Sequence, residues 1–189
     1  MDFTVEGLTS SGFRGFVPFT SLDEHRHELS SPGIYVVLRP DPELLFTVSS
    51  TGFRHKGKDP AYPLAKLERK WELSTPVLYV GKAGELEKGT NLWQRLDLYK
   101  RYGLGEDVSY RGGRAIWQVQ DAASRLLVCW TDTPGAYPEC VEDQLLRLFK
   151  VKFGTLPFAN QRSGTKCKHQ PVCRWKGFSD EDLMDLGML

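Results

Sequence analysis

Two short apolar segments, each carrying a glycine and a tyrosine, constrain the fold of this chain most strongly. Gly33-Ile34-Tyr35 opens one run of apolar residues, and Tyr79-Val80-Gly81 closes another. Short apolar runs rich in β-branched residues and bounded by turn residues predict buried strands. Each strand carries a tyrosine where a core would equally accept valine or isoleucine. Two phenols on neighbouring strands therefore indicate a site, and two core tyrosines with bonded hydroxyl groups are the structural alternative.

The rest of the hydrophobic pattern predicts a small mixed domain. A third apolar run lies at 126–130, and two longer segments have helical periodicity. The first helix is capped by Thr90 or Asn91 and ends near Tyr102, and the second begins with Pro138 in its first turn. Regular βαβ alternation is absent. We therefore expect an α/β (α+β) fold, in which helices flank a small three-stranded sheet of mixed or antiparallel strands.

Length and turn residues divide the chain into three parts. A chain of 189 residues forms one domain, or one domain with extensions. We expect residues 1–30 to form an N-terminal helical extension and residues 31–163 to form the domain. Residues 39–76 contain several prolines and glycines and predict an insertion between the first two strands. Residues 164–189 are expected to form a basic C-terminal tail with a short helix.

Charge is balanced over the whole chain but not along it. The formal net charge is only +1, which alone indicates no partner. From Gln144 to Phe178, however, eight basic residues occur without an acidic one. Such a stretch favours binding to a polyanion, with an ordinary solvated surface as the alternative. The eight residues are Arg147, Lys150, Lys152, Arg162, Lys166, Lys168, Arg174 and Lys176.

Targeting and redox signals predict a soluble cytoplasmic protein without membrane contact. No apolar run approaches the length of a membrane span, and the acidic N-terminus lacks a signal-peptide pattern. The four cysteines, Cys129, Cys140, Cys167 and Cys173, show no framework of regular pairs, so we expect reduced thiols. Cys167, His169 and Cys173 lack the usual spacing of a zinc knuckle, with Cys140 a remote fourth ligand, and metal binding there stays open.

Five elements in a fixed order resemble the GIY-YIG nuclease family. They are Gly33-Ile34-Tyr35, Tyr79-Val80-Gly81, Arg95 on the first long helix, Glu142 on the second, and Asn160 after a proline. The second tripeptide has valine where the family has isoleucine, a difference of one methyl group that a strand tolerates. The resemblance covers about residues 31–163 and implies hydrolysis of phosphodiester bonds in DNA.

The resemblance also implies a role for each matched residue. Glu142 would hold one Mg²⁺ or Mn²⁺ ion, which suits a hard oxygen ligand. Its place at the head of an apolar helical stripe predicts that it points inward; an exposed acid at the helix N-terminus is the alternative. Arg95 would bind the scissile phosphate with its guanidinium fork. Tyr35 and Tyr79 would line the pocket, and one of them would activate or orient the attacking water. Asn160 would support the site.

Two further side chains are candidates for the same catalytic site. Lys82 directly follows the second tripeptide and provides a cation near the phenols, with a solvated turn lysine as the alternative. Tyr99 lies one helical turn after Arg95, where many family members carry histidine. A mechanism that needs imidazole at this point lacks its residue here, and Tyr99 would instead donate a hydrogen bond to a phosphate or a water.

Basic residues outside this site predict contacts with a nucleic-acid backbone. We expect duplex DNA as the partner, with single-stranded DNA and RNA as alternatives. Trp175 and Phe178 are expected to lie beside the basic tail on an aromatic surface. The candidate contact residues are Arg111, Arg114, Arg162, Lys166 and Lys168.

The sequence thus favours a metal-dependent DNA endonuclease with a restriction-like or defence-like role. A catalytically silent nucleic-acid-binding module with the same fold is the main alternative, and a protein-interaction domain is a third. A single active site cuts one strand, so double-strand cleavage would require a homodimer or sequential nicks. Sequence preference and biological role stay open.

Overall fold

A four-stranded antiparallel sheet forms the centre of the fold in the computed structural model. The strands are β1 (Arg14–Pro18), β2 (Gly33–Leu38), β3 (Val77–Ala83) and β4 (Leu127–Asp132), in the order β1-β4-β2-β3. The mixed α+β prediction is confirmed, but the expected three strands were one too few. The structure describes residues 1–43, 45–72, 74–84, 90–110, 112–164, 167–168 and 173–189.

The additional strand, β1, lies in the region predicted to be only a helical extension. It pairs with β4 through a register shift between Gly15 and Val17. Gly15 has a φ of +95°, and a Cβ there would lie 2.2 Å from the Trp130 ring. A glycine therefore allows β1 to cross this indole closely. The predicted helix after it is a 3₁₀ helix, Phe19–Leu29.

The two long helices begin where the capping patterns predict. Asn91 and Gln94 form a capping box at the start of the first, and Pro138 occupies the first turn of the second. Shorter 3₁₀ segments lie at His55–Gly57 and Arg114–Gln118. The α-helices are α1 (Val5–Ser10), α2 (Leu64–Glu68), α3 (Leu92–Gly103), α4 (Ala122–Arg125), α5 (Pro138–Phe153) and α6 (Asp180–Asp185).

The sheet separates two hydrophobic clusters because successive side chains of a strand point to opposite faces. Tyr35 and Val37 of β2 join α3 in one cluster. Ile34 and Val36 join α5 in the other. The two predicted tyrosines therefore lie on the α3 side of the sheet, whereas α5 packs against its opposite face.

The C-terminal tail belongs to the core on the α5 side. Trp175 and Phe178 are 1% and 8% exposed. The Trp175 ring lies edge-on to both Phe13 and Phe178, with centroid distances of 5.8 and 5.1 Å. The prediction of an exposed aromatic surface was therefore wrong: these rings fill the space beneath α5 and are not accessible for stacking on bases.

The expectation of four reduced thiols also fails in the structure. Cys140 on α5 and Cys167 in the tail are joined as a disulfide, and Cys129 and Cys173 are free and buried. The long sequence separation of 27 residues hides this proximity from any pattern of cysteine spacing. Among the residues that the structure describes, no helix combines the length and apolar character that a membrane crossing requires.

Asn160 closes the outer edge of β3 in place of another strand. Its Oδ1 accepts a hydrogen bond from the Val80 amide at 3.0 Å, and its Nδ2 donates to the Val80 carbonyl at 2.8 Å. The Ala159 amide donates to the Leu78 carbonyl at 2.8 Å. A side-chain amide carries the same donor and acceptor pair as a peptide group. Asn160 therefore satisfies the edge strand between Tyr79 and Gly81.

Replacement of Asn160 by aspartate tests this pairing. Asn160→Asp keeps the acceptor but sets a carboxylate oxygen against the Val80 carbonyl, so we expect a loss of about 2–3 kcal/mol in unfolding free energy at pH 7. Because a protonated carboxyl regains one donor, part of this loss should be recovered at acidic pH. Urea unfolding at both pH values measures the effect. The neighbouring exposed amide provides the control, since Gln161→Glu should change stability by less than about 0.5 kcal/mol. Equal effects of the two substitutions would contradict the role of Asn160.

Candidate active site

Four separate elements contribute the predicted site residues. Tyr35 lies on β2, Tyr79 on β3, Arg95 on α3 and Glu142 on α5. The two tyrosine rings have a centroid distance of 6.0 Å. Glu142 acts electrostatically on both phenols and on the Arg95 guanidinium. The structure therefore brings together side chains that are more than a hundred residues apart in sequence.

The glycines of the two tripeptides make room for this arrangement. Tyr35 pairs across the sheet with Gly81. A Cβ on Gly81 would lie 2.5 Å from both Cζ and the hydroxyl oxygen of Tyr35, so the phenol occupies the space where a side chain would otherwise lie. A Cβ on Gly33 would lie 2.2 Å from the Thr131 backbone oxygen. Glycine at both positions is thus a steric requirement of the packed strands.

Tyr110 completes the site and was not predicted. Its hydroxyl oxygen lies 2.7 Å from that of Tyr35, and either group can be the donor. Its ring lies beneath Arg95, with the guanidinium carbon 4.4 Å from the ring centroid. A cation over an aromatic face is favourable, and more so when both groups are shielded from water. Tyr110 thus links the phenol of Tyr35 to the guanidinium of Arg95. The only sequence signal for this role of Tyr110 is its position directly before a basic, glycine-containing segment.

Arg95 is half-buried and incompletely hydrogen-bonded. The buried Nε atom has no hydrogen-bond partner among the described residues. A guanidinium group keeps its charge at all ordinary pH values and can donate two parallel bonds to an anion. An unsatisfied buried donor is costly, so an anion at this position would relieve the cost.

Glu142 is a half-buried carboxyl group with a raised pKa. Burial opposes its charge and raises the pKa from 4.5 to about 7, although Lys82 and Arg95 both favour the ionised form. Asp143 and Glu139 act in the opposite direction, because their negative charges oppose a further one. The local cations therefore do not fully compensate this carboxylate.

Lys82 lies on β3 and faces acidic residues of α5. Its Nζ is 3.9 Å from Oε2 of Glu139, and the side chain is 28% exposed. It also acts electrostatically on Glu142. Lys82 thus adds positive charge at the mouth of the site, and the partial exposure keeps it within reach of a ligand.

Tyr99 has a different place from the one predicted. Its side chain is fully buried, and its hydroxyl group donates to the Gly113 carbonyl at 2.6 Å. Its ring stacks on Tyr110 with a centroid distance of 4.4 Å. Burial raises the pKa of the Tyr99 phenol well above its ordinary value of 10.0. Tyr99 therefore supports Tyr110 and the turn at Gly113, and it does not face a ligand.

The predicted nucleic-acid contacts are divided between exposed and enclosed positions. Arg162 and Lys168 are exposed. Arg114 is half-buried, and its guanidinium carbon lies 5.9 Å from the Tyr62 ring centroid. Its Nε is buried without a hydrogen-bond partner among the described residues. Arg111 and Lys166 lie outside the described residues, as does His169.

Comparison of the chain with protein-family models, with curated proteins and with solved structures finds no match. Its function therefore has to be inferred from the site itself.

Replacement of Gly81 by alanine tests the packing of Tyr35. The new methyl group would overlap the phenol, so we expect Gly81→Ala to lower the unfolding free energy by about 2–3 kcal/mol. In a Tyr35→Val background the closest overlap is absent and only the contact with Tyr79 Cε1 at 2.8 Å remains, so the same substitution should cost at least about 1 kcal/mol less than in the wild type. Urea unfolding of the four proteins gives the coupling energy. Equal costs in both backgrounds would show that the phenol does not occupy this space.

The raised pKa of Glu142 predicts a pH-dependent stability. A folded-state pKa of about 7, against 4.5 in the unfolded chain, means that the folded state binds more protons between these values. Stability should therefore fall as pH rises from about 4.5 to 7 and should level off above that window. Glu142→Gln removes this effect. Its unfolding free energy should therefore rise relative to that of the wild type by about 2 kcal/mol from pH 4.5 to 7, a value that includes a discount for the partial exposure of Glu142. Urea unfolding in a metal chelator measures both proteins. Parallel stability curves would contradict the shift.

Proposed function

We propose that this protein is a divalent-metal-dependent endonuclease that hydrolyses phosphodiester bonds in DNA, with the chemistry of the GIY-YIG nucleases. The observation that carries the proposal is the convergence of Tyr35, Tyr79, Arg95 and Glu142 from four elements. Phosphodiester hydrolysis needs a held phosphate, an oriented water and compensation of developing negative charge. One group at this site suits each of these tasks.

Arg95 binds the scissile phosphate in this proposal. Its free Nε and the adjacent terminal nitrogen present the planar fork that matches two phosphate oxygens. The Tyr110 ring beneath the guanidinium and the Tyr35 hydroxyl group beside it hold the fork in place. A preorganised donor of this kind stabilises charge that develops in the transition state. Lys82 adds a second cation, which acts on Glu142 and pairs with Glu139 of α5.

The two tripeptide tyrosines take different roles. Tyr35 is fully buried and its hydroxyl group is bonded to Tyr110, so it acts as a positioning residue for Arg95. Tyr79 is 7% exposed, and we assign the contact with the attacking water to this phenol. Burial raises the pKa of Tyr79 well above 10.0, so the phenol keeps its proton at neutral pH. Tyr79 therefore orients the attacking water through a hydrogen bond and is not itself the base.

Glu142 fits the role of the single carboxylate that binds a hard divalent cation. Its pKa is raised to about 7 because burial is not matched by positive charge, which is the condition that a bound cation relieves. A carboxylate oxygen suits Mg²⁺ or Mn²⁺, both of which keep several waters as ligands. When bound, such an ion supplies charge neutralisation at the phosphate and a more acidic water. Lys82 and Glu139, whose charged groups lie 3.9 Å apart, flank the carboxylate.

A catalytically silent DNA-binding module is the second candidate. The burial of Tyr35 and the high pKa values of Tyr35 and Tyr79 favour it, because neither phenol ionises readily. The exposed residues Arg162 and Lys168 would serve either function. The two candidates differ in one property, which is cleavage of the bound DNA.

We place the biological role nearest to a restriction or defence nuclease.

Cleavage of supercoiled plasmid separates the two candidates. With Mg²⁺ or Mn²⁺ we expect nicking by the wild type and a loss of at least about 100-fold in rate for Arg95→Lys and Glu142→Gln. Arg101→Lys on the same helix and Glu181→Gln on α6 make the same two kinds of substitution away from the site and should keep the wild-type rate. Circular dichroism establishes that each variant is folded.

If the wild type does not nick the plasmid, its binding to a pool of random duplex DNA distinguishes the remaining possibilities. Salt-sensitive binding, followed by sequencing that finds no cut ends, would replace the nuclease with the silent module. Neither binding nor cleavage at low salt would remove nucleic acid as the partner. The same pool made of RNA or single-stranded DNA identifies the strand type.

A further inference from the structure

A second cluster of chemically active side chains lies on the side of the sheet opposite the tyrosines. The Sγ atoms of Cys140, Cys167 and Cys173 all lie within 4.8 Å of one another. Cys140 is fully buried on α5, and Cys173 is 8% exposed in the tail. The structure joins Cys140 to Cys167 as a disulfide. A disulfide accounts for two of these sulfurs but not for the third.

A side chain of α5 holds Cys173 next to the bonded pair of cysteines. Gln144 lies one helical turn after Cys140, and its Nε2 donates to the Cys173 carbonyl at 2.7 Å. Gln144 is 1% exposed, and its Oε1 has no hydrogen-bond partner among the residues described. A buried acceptor without a donor is costly. A polar group in the cluster, such as a metal-bound water, would satisfy it.

Three converging thiols are the donor set that zinc prefers. In a tetrahedral site with Zn–S bonds of about 2.3 Å, the sulfurs lie about 3.8 Å apart. The three sulfurs, all within 4.8 Å of one another, can reach this spacing once reduction lets the bonded pair of Cys140 and Cys167 separate. Soft thiolates select zinc over hard cations such as Mg²⁺. Binding compensates two of the three thiolate charges, which would otherwise be costly in this buried position.

We propose that the reduced protein binds one structural zinc ion through Cys140, Cys167 and Cys173. Binding replaces three thiol protons by one metal ion and involves no change of oxidation state in the reduced chain. His169 lies between two of the ligands in sequence but outside the described residues, so the proposal rests on the three cysteines alone. The zinc fastens the C-terminal tail to the first turns of α5.

This site is independent of the proposed nuclease and has a structural purpose. The tail contributes Trp175 and Leu183 to the cluster beneath α5, but the described residues between α5 and α6 contain little regular structure. A metal clip across 27 residues removes much of the entropy that this segment has in the unfolded chain. Loss of zinc should therefore release the tail while the sheet stays folded.

Metal content and thiol reactivity of the full, tag-free chain test the proposal. The protein is reduced with tris(2-carboxyethyl)phosphine, which converts any disulfide to two thiols, and is then loaded with zinc and desalted. We expect one zinc per chain by elemental analysis. Titration with cobalt should give thiolate-to-metal charge transfer in the near ultraviolet and strong visible bands of a tetrahedral site. Three thiols should become reactive toward a disulfide reagent when zinc is chelated and the tail is released, whereas the thiol of Cys129, buried in the sheet, should stay slow in both states.

Serine variants of each cysteine provide the matched comparison. Cys140→Ser, Cys167→Ser and Cys173→Ser should each weaken zinc binding by at least about 100-fold, since removal of an outer hydrogen-bond partner alone costs 10–100-fold. Cys129→Ser changes a thiol that is equally buried on β4, and it should keep stoichiometric zinc.

Two results would overturn the proposal. The first is a fully reduced wild-type chain that takes up neither zinc nor cobalt, which would leave the cluster as a disulfide with a neighbouring thiol. The second is stoichiometric zinc in two or more of the three ligand variants. The zinc content and the cobalt spectrum of the wild type do not depend on whether any variant folds or on whether the protein cuts DNA.

Discussion

The pairing of Tyr35 with Gly81 is the contact on which the candidate site depends. Because Gly81 has no side chain, the phenol of Tyr35 fills the space above its neighbour on β3. The phenol can then meet the Tyr110 hydroxyl group, and the Tyr110 ring supports Arg95. A larger residue in β3 would displace the first member of this chain of contacts. The glycines of the two tripeptides are therefore required by the packing of the strands, independently of the proposed catalytic role.

Burial shapes the chemistry of the site by opposing every charge in it. The pKa values of Tyr35 and Tyr79 are raised, and so is that of Glu142. The phenols consequently stay neutral and act through hydrogen bonds, whereas Glu142 gains most from a cation that compensates its charge. Arg95 keeps its charge because a guanidinium does not lose its proton in proteins. Two cations, Arg95 and Lys82, beside one incompletely compensated acid are the charges that the proposed binding of a phosphate and a divalent ion requires.

The sequence predicts elements that are determined locally and fails where distant residues meet. Patterns of three to fifteen residues locate β2, β3, α3 and α5. The two tripeptides also locate Tyr35 and Tyr79, the part of the site that lies on the sheet. Strand β1 escapes prediction because its glycine and proline are unfavourable in strands and it pairs with residues more than a hundred positions away. Tyr110 and the edge pairing of Asn160 have no local signal, and Trp175 is assigned to the surface only because basic residues surround it.

The two proposed metal sites share α5 without competing, and helix geometry explains why. Cys140 and Glu142 are two residues apart, so their side chains leave the helix about 200° apart. Cys140 and Gln144 point into the cluster beneath the sheet, while Glu142 acts on Lys82, Arg95 and the phenols. Thiolates favour zinc and a carboxylate favours Mg²⁺ or Mn²⁺. One helix could therefore hold a structural ion on one side and present an exchangeable one on the other, and the proposed structural ion would fix the turn that carries Glu142.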